Sequence, residues 1–469
     1  MKRLVLTVLN ILVLTSCNNF IDLNPISQQS ANEFYKDSLE MNQALTAAYN
    51  ALQSVDQYGG NGYPHFMEVP SDNTWDTNTT IDGGSYASFD NFIVDPTNAQ
   101  LERTWIACYD GIQRCNIVIS RLLNSDGGDI TEDFKNRKLG EAYFLRALTY
   151  FNMVRMWGDI PLITAEVTDV NESFNHTRTS TEEVYQQIIS DLDFASSNLP
   201  VSYDAANIGR ATKGAAQTLL AKVYLTRQDW QACLSLLNEV IASGQYRLLD
   251  NFADVFAVNN KNNAESIFEV QFDGTIEGQG YMAPDPLEVG SNVLNLPSDN
   301  LLQLFRENPD DRYEASVIDL GTQGWRLYKW HGTKGSNNGM DFNIMVLRYA
   351  DVLLMAAEAM NEVHYGDPTA LEYLNQIRRR SHATEYTYIE LSNQEIFRDA
   401  IAKERRLELA FENQRWFDLK RTGKALEVMN NCKDGSIFEL NIQSYQLIYP
   451  IPQNQIDASG GKLTQNEGY

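Results

Sequence analysis

Apolar residues recur at helical spacing through most of the chain. The clearest run is 181–199, which opens on a cap and acidic residues and then places Val184, Ile188, Leu192 and Ala195 on one face. The same period predicts helices over 30–55, 99–123, 131–157, 211–227, 229–243, 345–362 and 369–381. Short turns separate neighbours; Tyr365-Gly366-Asp367-Pro368 supplies both a cap and a proline for a first helical position. Helices joined this closely read as antiparallel hairpins. The pattern fails in two places, about 58–96 and about 245–343, where Gly, Pro, Asn and aromatic residues interleave and only short runs such as 266–272 alternate like strands. The periodicity therefore predicts a helical core over about 97–244 and 345–423, two irregular regions, and a tail over 424–469.

The stretch 401–423 carries the most information. On a single helix Arg405, Leu409, Glu412 and Trp416 would share a face, placing two opposite charges between two hydrophobes. A solvated helix keeps its charges outside and a core helix has none, so this face predicts a partly buried network of Arg405, Arg406, Glu408, Glu412 and Arg415. Asn413 stands where a helix can end in the left-handed conformation, a second short helix follows over 415–421, and Gly423 stops it.

The N-terminus changes the picture of where the chain works. Lys2 and Arg3, an apolar run over 4–14 and the small Ser16 predict a signal peptide over 1–16, with Cys17 as a lipidated first residue and 17–29 as a polar tether ahead of a body over 30–469. The run is short for a bilayer span, so attachment is expected through lipid. A formal charge of −25 repels phosphate backbones, which disfavours nucleic acid as a partner. Cys108 and Cys115 lie about 10 Å apart along one predicted helix and cannot pair with each other. All four remaining cysteines read as small buried residues.

Catalytic constellations are few in the sequence, and among 62 acidic residues no particular pair of carboxylates can be singled out without geometry. His65, His176, His331, His364 and His382 are scattered, no metal-ligand spacing or phosphate loop occurs, and Gly83-Gly84-Ser85-Tyr86-Ala87 lacks the final glycine of a nucleophile elbow. No catalytic residue, metal or cofactor is assigned. The irregular regions do carry aromatic residues beside carboxamides and acids: Trp75 with Asp72, Asn73 and Asn78, and later Tyr281, Trp325 and Trp330. An aromatic face matches the C–H face of a sugar ring while Asn and Asp bond its hydroxyls, so these seven are the candidate ligand contacts.

The segment ERRLELAFENQRWFDLKR over 404–421 resembles the signature of the SusD/RagB lipoproteins, with Asn413 where that pattern usually has Gly. KLGEAYFLRALTYFNMVRMWGDIPLIT, RYADVLLMAAEA and the ending over 449–469 resemble the family as well. Leu139-Gly140-x-x-Tyr143, and Ala221, Tyr224, Trp230, Cys233 and Leu237, match tetratricopeptide spacing. The resemblance implies a mainly α fold, a right-handed superhelix of tetratricopeptide-like hairpins with a large irregular, loop-rich insertion containing a few short strands. It also implies an outer-membrane lipoprotein, facing the cell exterior, that captures oligosaccharides or other nutrients and delivers them to a TonB-dependent SusC-like β-barrel without cleaving them. Alternatives are a RagB-like peptide-uptake lipoprotein and, further off, a lipid-anchored glycoside hydrolase.

Overall fold

Side-chain caps decide where the helices begin. Asp37 accepts from the Glu40 N–H and starts α1 (Ser38–Ala51); Asn98 starts α2 (Ala99–Leu123), and Thr131 starts α3 (Glu132–Trp157). Ser180 and Glu183 form a reciprocal capping box at α4 (Thr181–Asn198), Thr212 caps α5 (Lys213–Thr226) and Asp229 caps α6 (Trp230–Ala242). Farther along come α7 (Asp299–Glu307), α8 (Tyr349–Val363), α9 (Pro368–Arg380), α10 (Gln394–Leu409) and α11 (Arg415–Arg421). In this computed structural model the described residues are 34–76, 81–125, 128–283, 287, 295–332, 334–335, 339–432 and 440–469. The readings over 1–29, Cys17 included, and the Asn78 assignment lie outside them.

Each helix from α1 to α6 packs on the next, α6 then packs on α8, and α9 and α10 both pack on α8. This serial stacking is the layered hairpin architecture the periodicity predicts. Its close contacts need small residues: a Cβ on Gly140 of α3 would come within 3.2 Å of the Leu199 side chain. Nearby Tyr143 fills the remaining space edge-on to Phe194, with ring centroids 5.1 Å apart. The tetratricopeptide-like positions Ala221, Cys233 and Leu237 are all fully buried.

Strands are few and short. They are β1 (Thr74–Trp75), β2 (Ser266–Val270), β3 (Leu296–Pro297), β4 (Val317–Asp319), β5 (Trp325–Leu327) and β6 (Ile344–Arg348), paired antiparallel as β1 with β3, β2 with β6 and β4 with β5. The β2–β6 pair closes the second irregular region and returns the chain directly into α8. Cys108, Cys115 and Cys233 are buried thiols, and burial pushes the first two up to about 12.

The first helix starts at Ser38, not at 30, because Asp37 supplies the cap and Tyr35 has φ 77°. Stretch 401–423 also differs from a single continuous face. Helix α10 ends at Leu409, and Phe411 (φ 67°) and Asn413 (φ 60°) both adopt the left-handed conformation in the turn before α11. Two freed backbone N–H groups of that turn donate to one carboxylate, Phe411 to Glu68 Oε1 at 2.9 Å and Asn413 to Glu68 Oε2 at 2.8 Å. Arg405 and Glu412 consequently part company. Arg405 pairs with Asp351 and Asp418, both at 2.8 Å, whereas Glu412 meets Arg348 at 2.7 Å and Lys329 at 2.9 Å.

The five residues named for one ionic network are all ion-paired, but they divide among three sets: Glu408 and Glu412 in the first, Arg405 in a second, and Arg406 with Arg415 on Asp72 in a third. Arg312, Lys329, Arg348, Arg378 and Arg380 interlock with Glu265, Asp310, Glu404, Glu408 and Glu412, five cations against five carboxylates. At its centre the fully buried Glu408 carboxylate meets Arg348 at 2.6 Å, Arg312 at 3.2 Å and also Arg380. A second balanced set joins Lys222, Arg405 and Arg421 to Asp351, Asp418 and Glu358. Both sets surround α10 and α11 and bind them to α5, α8 and α9, so interior charge here fixes register between elements distant in sequence.

Candidate ligand-binding face

The two irregular regions meet at one set of strands. β1 pairs with β3, Trp75 opposite Leu296, and β3 also packs against β5, which opens on Trp325. Residues about 250 positions apart in the chain thereby place two half-buried indoles one strand away from each other. Trp325 stacks on Tyr313, with centroids 5.8 Å apart and planes at 20°, and Tyr313 stacks in turn on buried Phe305 at 5.6 Å. The exposed Arg306 guanidinium lies 5.5 Å from the Trp325 ring centroid. This aromatic stack is seated on α7, whose Leu301, Leu302 and Phe305 are buried.

Polar residues beside Trp75 do a different job from the one expected of them. Asp72 is buried, and Arg415 grips it through Nε at 2.7 Å and Nη2 at 2.9 Å while Arg406 reaches it at 3.1 Å. Burial alone would raise the Asp72 carboxyl, but Arg415 and Arg406 outweigh it and hold it below the usual carboxylate range. Asn73 is also fully buried, accepting from Arg406 Nε at 2.8 Å and donating to Glu68 at 3.1 Å. Ser298 completes the joint, donating its N–H to the Asn73 carbonyl at 2.9 Å and its hydroxyl to the Asp72 carbonyl at 2.7 Å. Asp72 and Asn73 therefore root the loop and fix the strand that carries Trp75; their polar atoms are taken up from inside.

Tyr281 and Trp330 come together elsewhere, around a cavity of about 60 Å³ shared with Phe342 and Phe411. Tyr281 sits 4.7 Å from the Phe342 ring, and Trp330 donates its indole N–H to the Phe411 carbonyl at 2.7 Å. Trp330 is thereby tied to the signature turn, and Tyr281 and Trp330 are half-buried like Trp75 and Trp325, so the four rings fall into two separate pairs.

Sequence reading missed Glu68, the residue that ties this region to α10–α11. It is fully buried, and burial pushes its carboxyl up to about 7 against the hydrogen bonds from Asn73, Phe411 and Asn413 and the charge of Lys329. A lone Glu among aromatic and proline residues at 63–70 gives no periodic signal of such a role. Arg306 was missed for a similar reason, since an exposed arginine on a helix reads as ordinary solvation.

Comparison with known proteins agrees with this architecture. Residues 275–469 match the SusD family, and residues 19–225 match a family described as starch-binding and associating with the outer membrane. SusD-like protein P38 of Formosa agariphila is 30% identical, with 89% of this chain and 90% of that protein aligned, and SusD-like protein P25 of the same organism is 29% identical over 97% of each. A solved laminarin-binding SusD-like protein superposes with a TM-score of 0.79 at 30% identity, covering 93% of this chain and all of that one. Helical layers, signature turn and relatives lead to one assignment: the chain belongs to the SusD family.

Proposed function

We propose that this protein is a non-catalytic surface lipoprotein that binds oligosaccharides and hands them to a TonB-dependent SusC-like barrel in the outer membrane. The observation that carries the reading is the pair of half-buried indoles, Trp75 on β1 and Trp325 on β5, the two strands that flank β3, with the β1 side rooted on a buried Asp72–arginine joint. A flat apolar ring recognises the C–H face of a pyranose without cleaving anything, and a second ring nearby extends the contact to an adjoining sugar. The 30% identical laminarin-binding relative supports a β-glucan as the first ligand to test. Anchoring through Cys17, exposure to the cell exterior and delivery to the barrel belong to the same proposal.

Affinity is expected in the micromolar to millimolar range, on the order of −4 to −8 kcal/mol, because a carrier must release what it captures. Calorimetric titration with laminarihexaose, maltohexaose and a cationic peptide tests the reading. Saturable binding of a glycan, weakened at least tenfold in Trp75→Ala and Trp325→Ala, supports it. Saturation by the peptide alone, or release of reducing ends during incubation, refutes it.

A further inference from the structure

Away from the tryptophan face, α1, the loop over 204–210 and strand β2 enclose a groove of about 580 Å³. A neighbouring cavity of about 280 Å³ borders the same Ile208, Gly209 and Arg210 and the same Phe268 and Glu269. Gly209 makes this arrangement possible. Its φ is +89°, and a Cβ there would come 2.6 Å from Cδ of Gln271, so only glycine lets the loop pass so close to that side chain.

The lining is unusual in being polar without net charge. Asn50 donates to Gln53, Gln53 donates to the Gln271 carbonyl at 2.6 Å, and Gln271 and Asn262 exchange hydrogen bonds at 2.8 and 3.0 Å. Gln271 spends its full capacity this way, since its amide also donates to the Glu269 carbonyl and its oxygen also accepts from Asn343. Among the described residues Gln43 and Gln279 make no side-chain hydrogen bond, and the side-chain oxygens of Asn50 and Asn207 accept none. The ionic groups at the walls are engaged from inside: Arg210 pairs with Glu141 at 2.9 Å, and the buried Glu269 carboxylate accepts from Asn343 and from the Asn262 N–H. Apolar surface is supplied by the Tyr49 ring, by Phe268 and by Ile208, which is 59% exposed.

We infer that this groove is a second binding site, for a neutral polyhydroxylated ligand such as two or three linked sugar residues. Carboxamides offer a donor and an acceptor side by side, which suits vicinal hydroxyls. An anionic ligand would find its one cation, Arg210, already paired, and the Glu269 carboxylate is too buried to meet a cationic one. The volume falls within the range of small-molecule sites, roughly 300–1,000 Å³. The site shares no residue with the tryptophan face, so the two readings stand or fall separately.

The test uses the purified full-length protein carrying Trp75→Ala and Trp325→Ala, titrated with laminarihexaose, maltohexaose and xylohexaose and followed by saturation-transfer NMR. The groove predicts that this variant still binds at least one of the three, and that adding Gln43→Ala and Gln279→Ala weakens that binding tenfold or more. Both glutamines are solvent-accessible and make no side-chain bonds among the described residues, so an unchanged melting temperature is expected to accompany the loss. As a second arm, Ile208→Trp in the otherwise unaltered protein narrows the groove and should abolish the residual component while leaving binding at the tryptophan face intact. No binding by the tryptophan variant to any of the three sugars, or binding indifferent to both glutamine and Ile208 substitutions, would overturn the inference.

Discussion

Glu408→Gln is the sharpest test of the interior charge network, because it preserves shape and removes one charge. Wild-type Glu408 accepts from Arg348 at 2.6 Å and Arg312 at 3.2 Å, contacts Arg380, and is fully buried along with Arg312. In the variant, five cations face four carboxylates, and the new amide turns N–H groups toward guanidinium N–H groups. For exposed pairs such a change costs up to about 1 kcal/mol, but a broken buried pair costs about 3–5 kcal/mol since no water enters to compensate. The second figure applies here. Burial alone would raise the Glu408 carboxyl, yet Arg380, Arg348 and Arg312 hold it far below its usual 4.5. Its contribution is therefore fully present above pH 4.5 and is lost as the pH falls toward the depressed folded value. Urea denaturation followed by tryptophan fluorescence reads the result directly, since Trp157 and Trp416 are fully buried. Glu408→Gln should lower stability by about 3–5 kcal/mol at pH 7, with the gap to wild type shrinking below pH 4. A difference under about 1 kcal/mol at pH 7 would refute the claim that these charges act as an interior network.

Asp72→Asn leaves Arg406 and Arg415 without a carboxylate in common; a loss of about 3 kcal/mol and a red-shifted Trp75 emission are expected, and an unchanged spectrum would mean Asp72 does not position that indole. Trp325→Ala exposes Tyr313 and should weaken glycan binding about tenfold, or about 1.4 kcal/mol, by calorimetry, while the melting temperature moves little. Glu68 titrates at about 7 in the fold against 4.5 when free, so between those values the folded state holds a proton the unfolded state has released. Stability should then fall by about 3 kcal/mol as pH rises from 4.5 to 7, and Glu68→Gln should flatten that slope in urea titrations. Lys420 works in the opposite sense. Burial and the nearby Arg155 charge lower it from 10.5 to about 7, so the unfolded state binds the extra proton between those values and stability rises with pH there. Lys420→Met should be more stable than wild type at pH 6, with the advantage disappearing by pH 10.5.

Helix positions were legible because apolar spacing and caps are local signals: Ser180 with Glu183, and Thr131, act within a few residues of themselves. Asn413 was legible too, since Asn tolerates the left-handed conformation that its φ of 60° requires. Phe411, with a φ of 67°, was not, because an aromatic residue in that conformation is held there by Glu68, a partner 343 positions away. The same distance hid the fate of Asp72 and Asn73. Beside Trp75 in a glycine-rich stretch they read as solvent-facing hydrogen-bonders, and only the arrival of Arg406 and Arg415 from the far end of the chain takes them inside. Trp75 and Trp325 were found because large aromatics in irregular sequence are conspicuous. The placement of their strands on either side of β3 depends on pairing that no local pattern encodes.

The joint at Asp72 and Asn73 separates two kinds of change. Its hydrogen bonds grip one loop at its base and Ser298 on the other side, and they reach neither indole. Rings at positions 75 and 325 can accordingly be exchanged for others without reopening the helical frame beneath them. A scaffold divided in this way can acquire new tastes by a handful of substitutions, each sampled at little risk to folding.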